Sequence, residues 1–243
     1  MLANLASDSS IAEEKDSVGS GGPMDSGLYM STITMAYLSK SSGGAQGLVF
    51  SAKTDDGKEF RQTLWMTSGD AKGNKNFYEK DGVKSYLPGF NHANSIALLT
   101  VSQEIGAIAT EEKVVKVYSY EAQAEVPTKV QVFTDLIGKQ ILLGVIKQTV
   151  DKTKKDDHGV YQPTGETREE NDLDKVFRAR DRMTTSEVRG KAIDASFADV
   201  WTDKWAGKVK NKSKGGSGVA GVAGAPKAGG AAASKKPTTS LFA

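Results

Sequence analysis

From Gly27 to Gln148 the chain alternates apolar and polar positions with a period near two, the signature of half-buried strands. Residues Leu28 to Leu38 are rich in β-branched and aromatic side chains. Tyr29, Ile33, Met35 and Tyr37 fall on one face and Leu28, Met30 and Leu38 on the other. Two further runs, Gly47–Lys53 and Glu59–Met66, flank Asp55-Asp56-Gly57-Lys58. An Asp-Gly pair between alternating runs predicts a hairpin, because both residues tolerate positive φ. In the second arm Phe60, Leu64 and Met66 point one way, and Arg61, Thr63 and Trp65 the other. A polar stretch over 68–90 reads as a loop. After Pro88-Gly89, Asn91 is placed to cap a short helix with Ile96, Leu99 and the Ala93/Ala97/Thr100 positions toward a core. Strands resume at Val114–Tyr120, Lys129–Thr134 and Lys139–Thr149.

This order predicts a mainly β fold: an OB-like five-stranded barrel with an inserted loop and a short helix after the third strand. Periodicity fits a β-sandwich with a helical cap equally well. Beyond Asp151 the pattern turns polar and then helical. Asn171 with Asp174 resembles a cap before Leu173, Val176, Phe177 and Arg180, and Phe197, Val200, Trp201 and Trp205 recur at helical spacing. The expected organisation is a disordered acidic leader (1–25), an OB-like domain (26–150), a helical or irregular extension packed on the barrel (151–210) and a disordered basic Gly/Ala/Lys tail (211–243).

Charge sharpens that division. The net charge is +2, yet residues 1–25 hold five acids against one lysine, and residues 206–243 hold seven lysines and no acid. The intervening body is therefore close to neutral, and an anionic partner needs a local basic track or the tail. There is no cysteine, which excludes disulfides, thiol catalysis and Cys-ligated zinc; a reducing cytoplasm fits. No apolar run approaches about 18 residues, so no membrane span is expected. The first residues lack a signal-peptide pattern.

Catalytic chemistry has little to build on. The two histidines, His92 and His158, lie in no metal-binding or nucleophile-activating pattern, and no acidic cluster marks a metal site. Gly216-Ser217-Gly218-Val219-Ala220-Gly221 matches a dinucleotide-binding glycine pattern, but without a preceding strand it is chance in a Gly/Ala-rich tail. No enzyme, cofactor or metal is expected.

Binding chemistry is better represented. A strand-binding groove needs cations for phosphates and flat rings for bases. Residues 72–86 interleave Lys72, Lys75, Lys80 and Lys84 with Phe77, Tyr78 and Tyr86. A core strand does not carry so many lysines, and an ordinary solvated loop has no use for three rings. Arg61 and Trp65, four apart on one strand, share a sheet face; the same pattern also allows Trp65 a place in the core. Lys147, with Lys152, Lys154 and Lys155, follows the last strand as a secondary candidate. The candidate nucleic-acid-binding set is Arg61, Trp65, Lys75, Phe77, Tyr78, Lys84, Tyr86 and Lys147.

The segments Ser26-Gly27-Leu28-Tyr29, Ala36-Tyr37-Leu38, Gly44-Ala45-Gln46-Gly47-Leu48, Phe60-Arg61 with Trp65-Met66-Thr67, Phe77-Tyr78-Glu79-Lys80-Asp81-Gly82, Leu87-Pro88-Gly89-Phe90 and Asp135-Leu136-Ile137-Gly138-Lys139 occur in a telling order. Together they resemble single-stranded DNA-binding proteins of tailed bacteriophages, closest to those of podophages that package a virion RNA polymerase. The likeness spans about residues 26–210. It implies an OB fold, coating of single-stranded DNA in phage replication and recombination within the infected host's cytoplasm, and no enzymatic activity; Tyr78 is the ring it carries over as a base contact. One departure stands out. Many such proteins end in an acidic tip, whereas this chain ends Ser234-Lys235-Lys236-Pro237-Thr238-Thr239-Ser240-Leu241-Phe242-Ala243. Leu241 and Phe242 are therefore candidate contacts to a replication, recombination or transcription protein. A transcription-regulating module working through that tail, or a virion structural protein, is the alternative reading.

Overall fold

The computed structural model describes residues 22–119, 122–156 and 161–213. It is mainly β. In chain order the elements are β1 (Gly27–Lys40), β2 (Gln46–Thr54), β3 (Glu59–Trp65), β4 (Phe77–Lys80), β5 (Val83–Tyr86), α1 (Pro88–Val101), β6 (Glu111–Ser119), β7 (Ala124–Val132), β8 (Gln140–Lys155), β9 (Tyr161–Arg178), α2 (Thr185–Arg189), α3 (Phe197–Trp205) and β10 (Val209–Asn211). None of the described helices is long and apolar enough to cross a membrane.

β1 is the centre of the main sheet. It pairs antiparallel with β2, with β8 through Gly27–Thr32, and with β7 at Tyr37 and Leu38. β3 adds to β2, β9 to β8 and β6 to β7, all antiparallel, while β10 joins β8 in parallel. Side chains from β1, β2, β3, β8 and β9 enclose the principal core, where Ile33, Leu48, Phe50, Ile141, Leu143 and Leu173 are almost fully buried.

The sheet is nonetheless open. β3 and β9 lie side by side without a backbone ladder, so the barrel expected from the sequence is not closed by pairing. α1 packs against both strands and occupies the end of that gap. The gap itself is bridged by one side chain. Gln62 of β3 donates from Nε2 to Asp172 Oδ1 and accepts at Oε1 from the Leu173 N–H, each at 2.8 Å.

α1 begins at Pro88, not near Asn91. Leu87 is its N-cap, and Pro88 occupies the first turn, where a missing N–H costs nothing. Gly89 is required there: a β-carbon at this position would sit 2.2 Å from the Trp65 carbonyl oxygen. Ala93, Ile96, Ala97 and Leu99 then face the core, as the stripe predicts.

Of residues 171–180, expected to be helical, 171–178 form the second half of β9 and the last two begin the turn after it. The pairing steps from Val145↔Leu173 to Gly144↔Lys175, so Asp174 is an extra residue in a bulge. Leu173 and Val176 consequently share a face although they are three apart, which imitates helical spacing. A domain boundary at 150 falls inside β8.

A second bulge, between Ile33 and Met35 of β1, reverses the face pattern of that strand. Ile33 and Ala36 point into the principal core, while Tyr37 points to the opposite face. There Tyr37, Val49 and Val132 are covered by Val115, Val117 and Val130 of the β6–β7 hairpin. α3 covers another part of the outer surface by packing Trp201 over Gly144, with Phe177 and Leu142 beside it.

Candidate nucleic-acid interface

The 68–90 segment is less a loop than a small structured flap. Asp81 and Gly82 both adopt positive φ, the conformation a two-residue hairpin turn demands, and join β4 to β5. Phe77 pairs with Tyr86, and Glu79 with Lys84. Directly opposed residues share a face, so Phe77, Lys84 and Tyr86 lie on one side and Tyr78 on the other. The Lys84 ammonium lies 5.4 Å from the Phe77 ring centre and that of Lys75 5.8 Å, both within cation–π range. Tyr86 leans on Phe90 of α1 with ring centres 5.0 Å apart, which anchors the flap to the helix.

Around the N-terminal half of α1 runs a furrow. Its first section, about 680 Å³, lies over the open seam between β3 and β9, with Trp65, Lys72, His92, Asp172 and Asp174 in its wall. The second, about 640 Å³, passes Tyr78, Lys84 and Tyr86 on one bank and Lys175 and Arg189 on the other. The two meet at Pro88 and His92. A third section, about 410 Å³, continues from Leu98, Thr185 and Arg189 past Lys139, Arg178 and Arg180.

The charge along this path is mostly positive and partly uncommitted. Arg178 is tied to Asp181 at 2.6 Å and Arg189 to Glu104 at 3.0 Å. Lys72, Lys84, Lys139 and Lys175 have no carboxylate partner among the described residues; Lys175 instead lies 5.1 Å from the Phe197 ring centre. Three rings stand open beside them: Trp65 is 42% exposed, Tyr78 48% and Tyr86 56%. His92 contributes a neutral surface at the junction. Burial lowers its pKa, only partly offset by the bond from Nε2–H to the Asp174 carbonyl at 3.1 Å.

The sequence-predicted residues therefore divide. Trp65, Tyr78, Lys84 and Tyr86 line the furrow, and Phe77 and Lys75 flank it through the lysine-on-ring contacts. Arg61 does not join them. It donates to the Tyr37 hydroxyl at 3.2 Å in a separate shallow recess of about 390 Å³ under the β6–β7 hairpin. Trp65 shares the Arg61 face, and its ring lies over Gly47, where a β-carbon would come within 2.8 Å of it. Lys147 is committed elsewhere, 3.0 Å from Glu169 and 3.8 Å from Asp25, half-buried on β8. Lys152, Lys154 and Lys155 sit on the exposed extension of the β8–β9 hairpin, where Lys155 covers the Tyr161 ring at 5.3 Å. His158, Leu241 and Phe242 lie outside the described residues.

Sequence reasoning missed Lys139, Lys175, Arg178, Arg180 and Arg189. The signal was the cation density of Lys175–Arg189, hidden by the helical reading of that segment. No group of His, Asp and Glu among the described residues is arranged to hold a metal ion. No protein-family model matches the chain, and no curated relative does.

Proposed function

We propose that this chain is a non-enzymatic single-stranded DNA-binding protein that coats exposed strands with little sequence preference, in phage DNA replication and recombination in the cytoplasm of the host. One observation carries the reading: adjoining recesses around α1, sharing wall residues, in which Lys72, Lys84 and Lys175, free of carboxylate partners among the described residues, stand beside the exposed rings of Trp65, Tyr78 and Tyr86. Lysines offset phosphate charge and release counterions, and each stacked base contributes on the order of 1–3 kcal/mol irrespective of its identity. Rings within a furrow meet bases only when those bases are unpaired, which favours a single strand over a duplex. The strand order, with β1 between β2 and β8 and a seam between β3 and β9, supports an OB-like barrel whose last junction is made by Gln62 and α1. The resemblance of residues 26–210 to phage single-strand binders points the same way and favours DNA. A gel-shift comparison of one sequence as single-stranded DNA, duplex DNA and RNA tests the proposal. Retention of the DNA single strand at the lowest protein concentration is expected; equal retention of the duplex overturns the reading.

A further inference from the structure

We propose that β10 is an electrostatic clasp whose Lys210 and Lys212 set the sign of charge in the first section of the furrow and so decide whether it admits a strand; the proposal rests on reading the furrow as a nucleic-acid site. The charged wall of that section consists of Lys72, Asp172 and Asp174, one cation against two anions. By itself this wall repels a phosphate chain. Behind it, Lys212 Nζ lies 3.0 Å from Asp172 Oδ2, and Lys210 Nζ 4.0 Å from Asp174 Oδ1. With those two lysines included, the balance becomes three cations against two anions.

The carboxylates are held by other donors as well. Gln62 Nε2–H donates to Asp172 and Trp201 Nε1–H to Asp174, each at 2.8 Å. Both acids therefore keep their places in the wall when the lysines leave. The lysines, by contrast, ride on a short edge strand, with Lys210 also 5.3 Å from the Trp205 ring centre. β10 spans Val209–Asn211, pairs among the described residues only with Lys147–Thr149 of β8, and is followed by one more bond from Lys212 N–H to the Thr149 carbonyl. A three-residue edge strand with an exposed Val209 opens at a fraction of the cost of global unfolding.

The experiment is a fluorescence titration of the full chain with a labelled oligothymidylate at fixed low salt. K210A/K212A should bind about tenfold more weakly, through loss of the lysines and exposure of the acids. Adding D172N/D174N to that variant should restore affinity to within about threefold, since the repulsion is then gone. D172N/D174N alone, which keeps both lysines and the β10–β8 ladder while removing the two negative charges, should bind at least as tightly as the wild type. Unchanged binding by K210A/K212A overturns the clasp while leaving the proposed function intact. So does a loss that the asparagine pair fails to rescue, for the lysines are then plain phosphate contacts or simply structural. Failure of the wild-type chain to retain the oligonucleotide overturns the proposed function itself.

Discussion

The side chain of Gln62 accepts the main-chain N–H of Leu173 at 2.8 Å, and so stands in for the backbone ladder that β3 and β9 do not form. An amide side chain is chemically a peptide group, and it offers both a donor and an acceptor to the facing strand. Gln62→Leu removes both while keeping similar bulk. It leaves a Leu173 N–H and an Asp172 oxygen without their partner next to the core, which costs about 1–3 kcal/mol. Urea unfolding measures that loss, and hydrogen exchange of the Leu173 amide should accelerate in step. An unchanged unfolding midpoint would show that the seam is held by α1 alone.

Gly89 fixes how closely α1 approaches β3. Its missing β-carbon would fall 2.2 Å from the Trp65 carbonyl oxygen and 2.7 Å from the Trp65 nitrogen, both backbone atoms that cannot rotate aside. Gly89→Ala therefore has to move the helix or the strand. A loss of about 2–4 kcal/mol is expected, at the upper end for a single methyl group. The intrinsic helix preference of alanine, worth about 1 kcal/mol in its favour, is too small to offset it. Thermal unfolding of the variant decides; a midpoint at or above that of the wild type contradicts the close approach.

These two junctions show what the pattern of residues conveys and what it hides. β1, β2, β3 and β8 were legible because each buries one face, and a period of two then follows from the pleat. Two bulges defeated the same logic. Thr34 and Asp174 are single extra residues, and each turns a two-residue step into a three-residue step, so Leu173, Val176 and Phe177 imitate one face of a helix. The rings and lysines of the flap were legible because their composition suits neither a core nor an ordinary turn. Lys175 and Arg189 were not, since their place on the opposite bank depends on β9 and α2 packing alongside α1, a relation no local spacing encodes.

The two banks of the furrow should respond differently to substitution. Tyr78→Ala removes an exposed ring but no charge. It is expected to weaken oligonucleotide binding by about 1–3 kcal/mol, with the salt dependence unaltered. Lys84→Ala and Lys175→Ala remove cations facing each other across the same section. Each should reduce the slope of log affinity against log salt by about 1, and nearly equally for different base sequences. Titrations at several salt concentrations separate these effects. A Tyr78→Ala variant that binds like the wild type removes that ring from the site, and an unaltered salt slope for both lysine variants removes the second section from the path.

Glu187 joins the starts of α2 and α3 and gives the fold a marked acid sensitivity. Oε2 accepts the Thr184 N–H at 2.8 Å in a capping box, and Oε1 accepts the N–H groups of Ser196 and Phe197, each at 2.9 Å. Burial opposes the charged form, but these hydrogen bonds outweigh it and hold the carboxyl at about 2, below its ordinary 4.5. The folded protein therefore keeps this group ionised at a pH where the unfolded chain protonates it. Unfolding then takes up a proton, so the contribution is complete above pH 4.5 and is lost as pH falls toward 2. Glu187→Gln should be less stable at neutral pH by on the order of 1 kcal/mol, a modest figure because solvent screens this half-exposed group. Its deficit relative to the wild type should shrink through the same acid window. Asp181, whose pKa is lowered first by its bond with Arg178, adds a slope common to both proteins, so the difference between them isolates Glu187. Parallel stability profiles between pH 4.5 and 2 would mean that the carboxylate charge does not hold the two helices together.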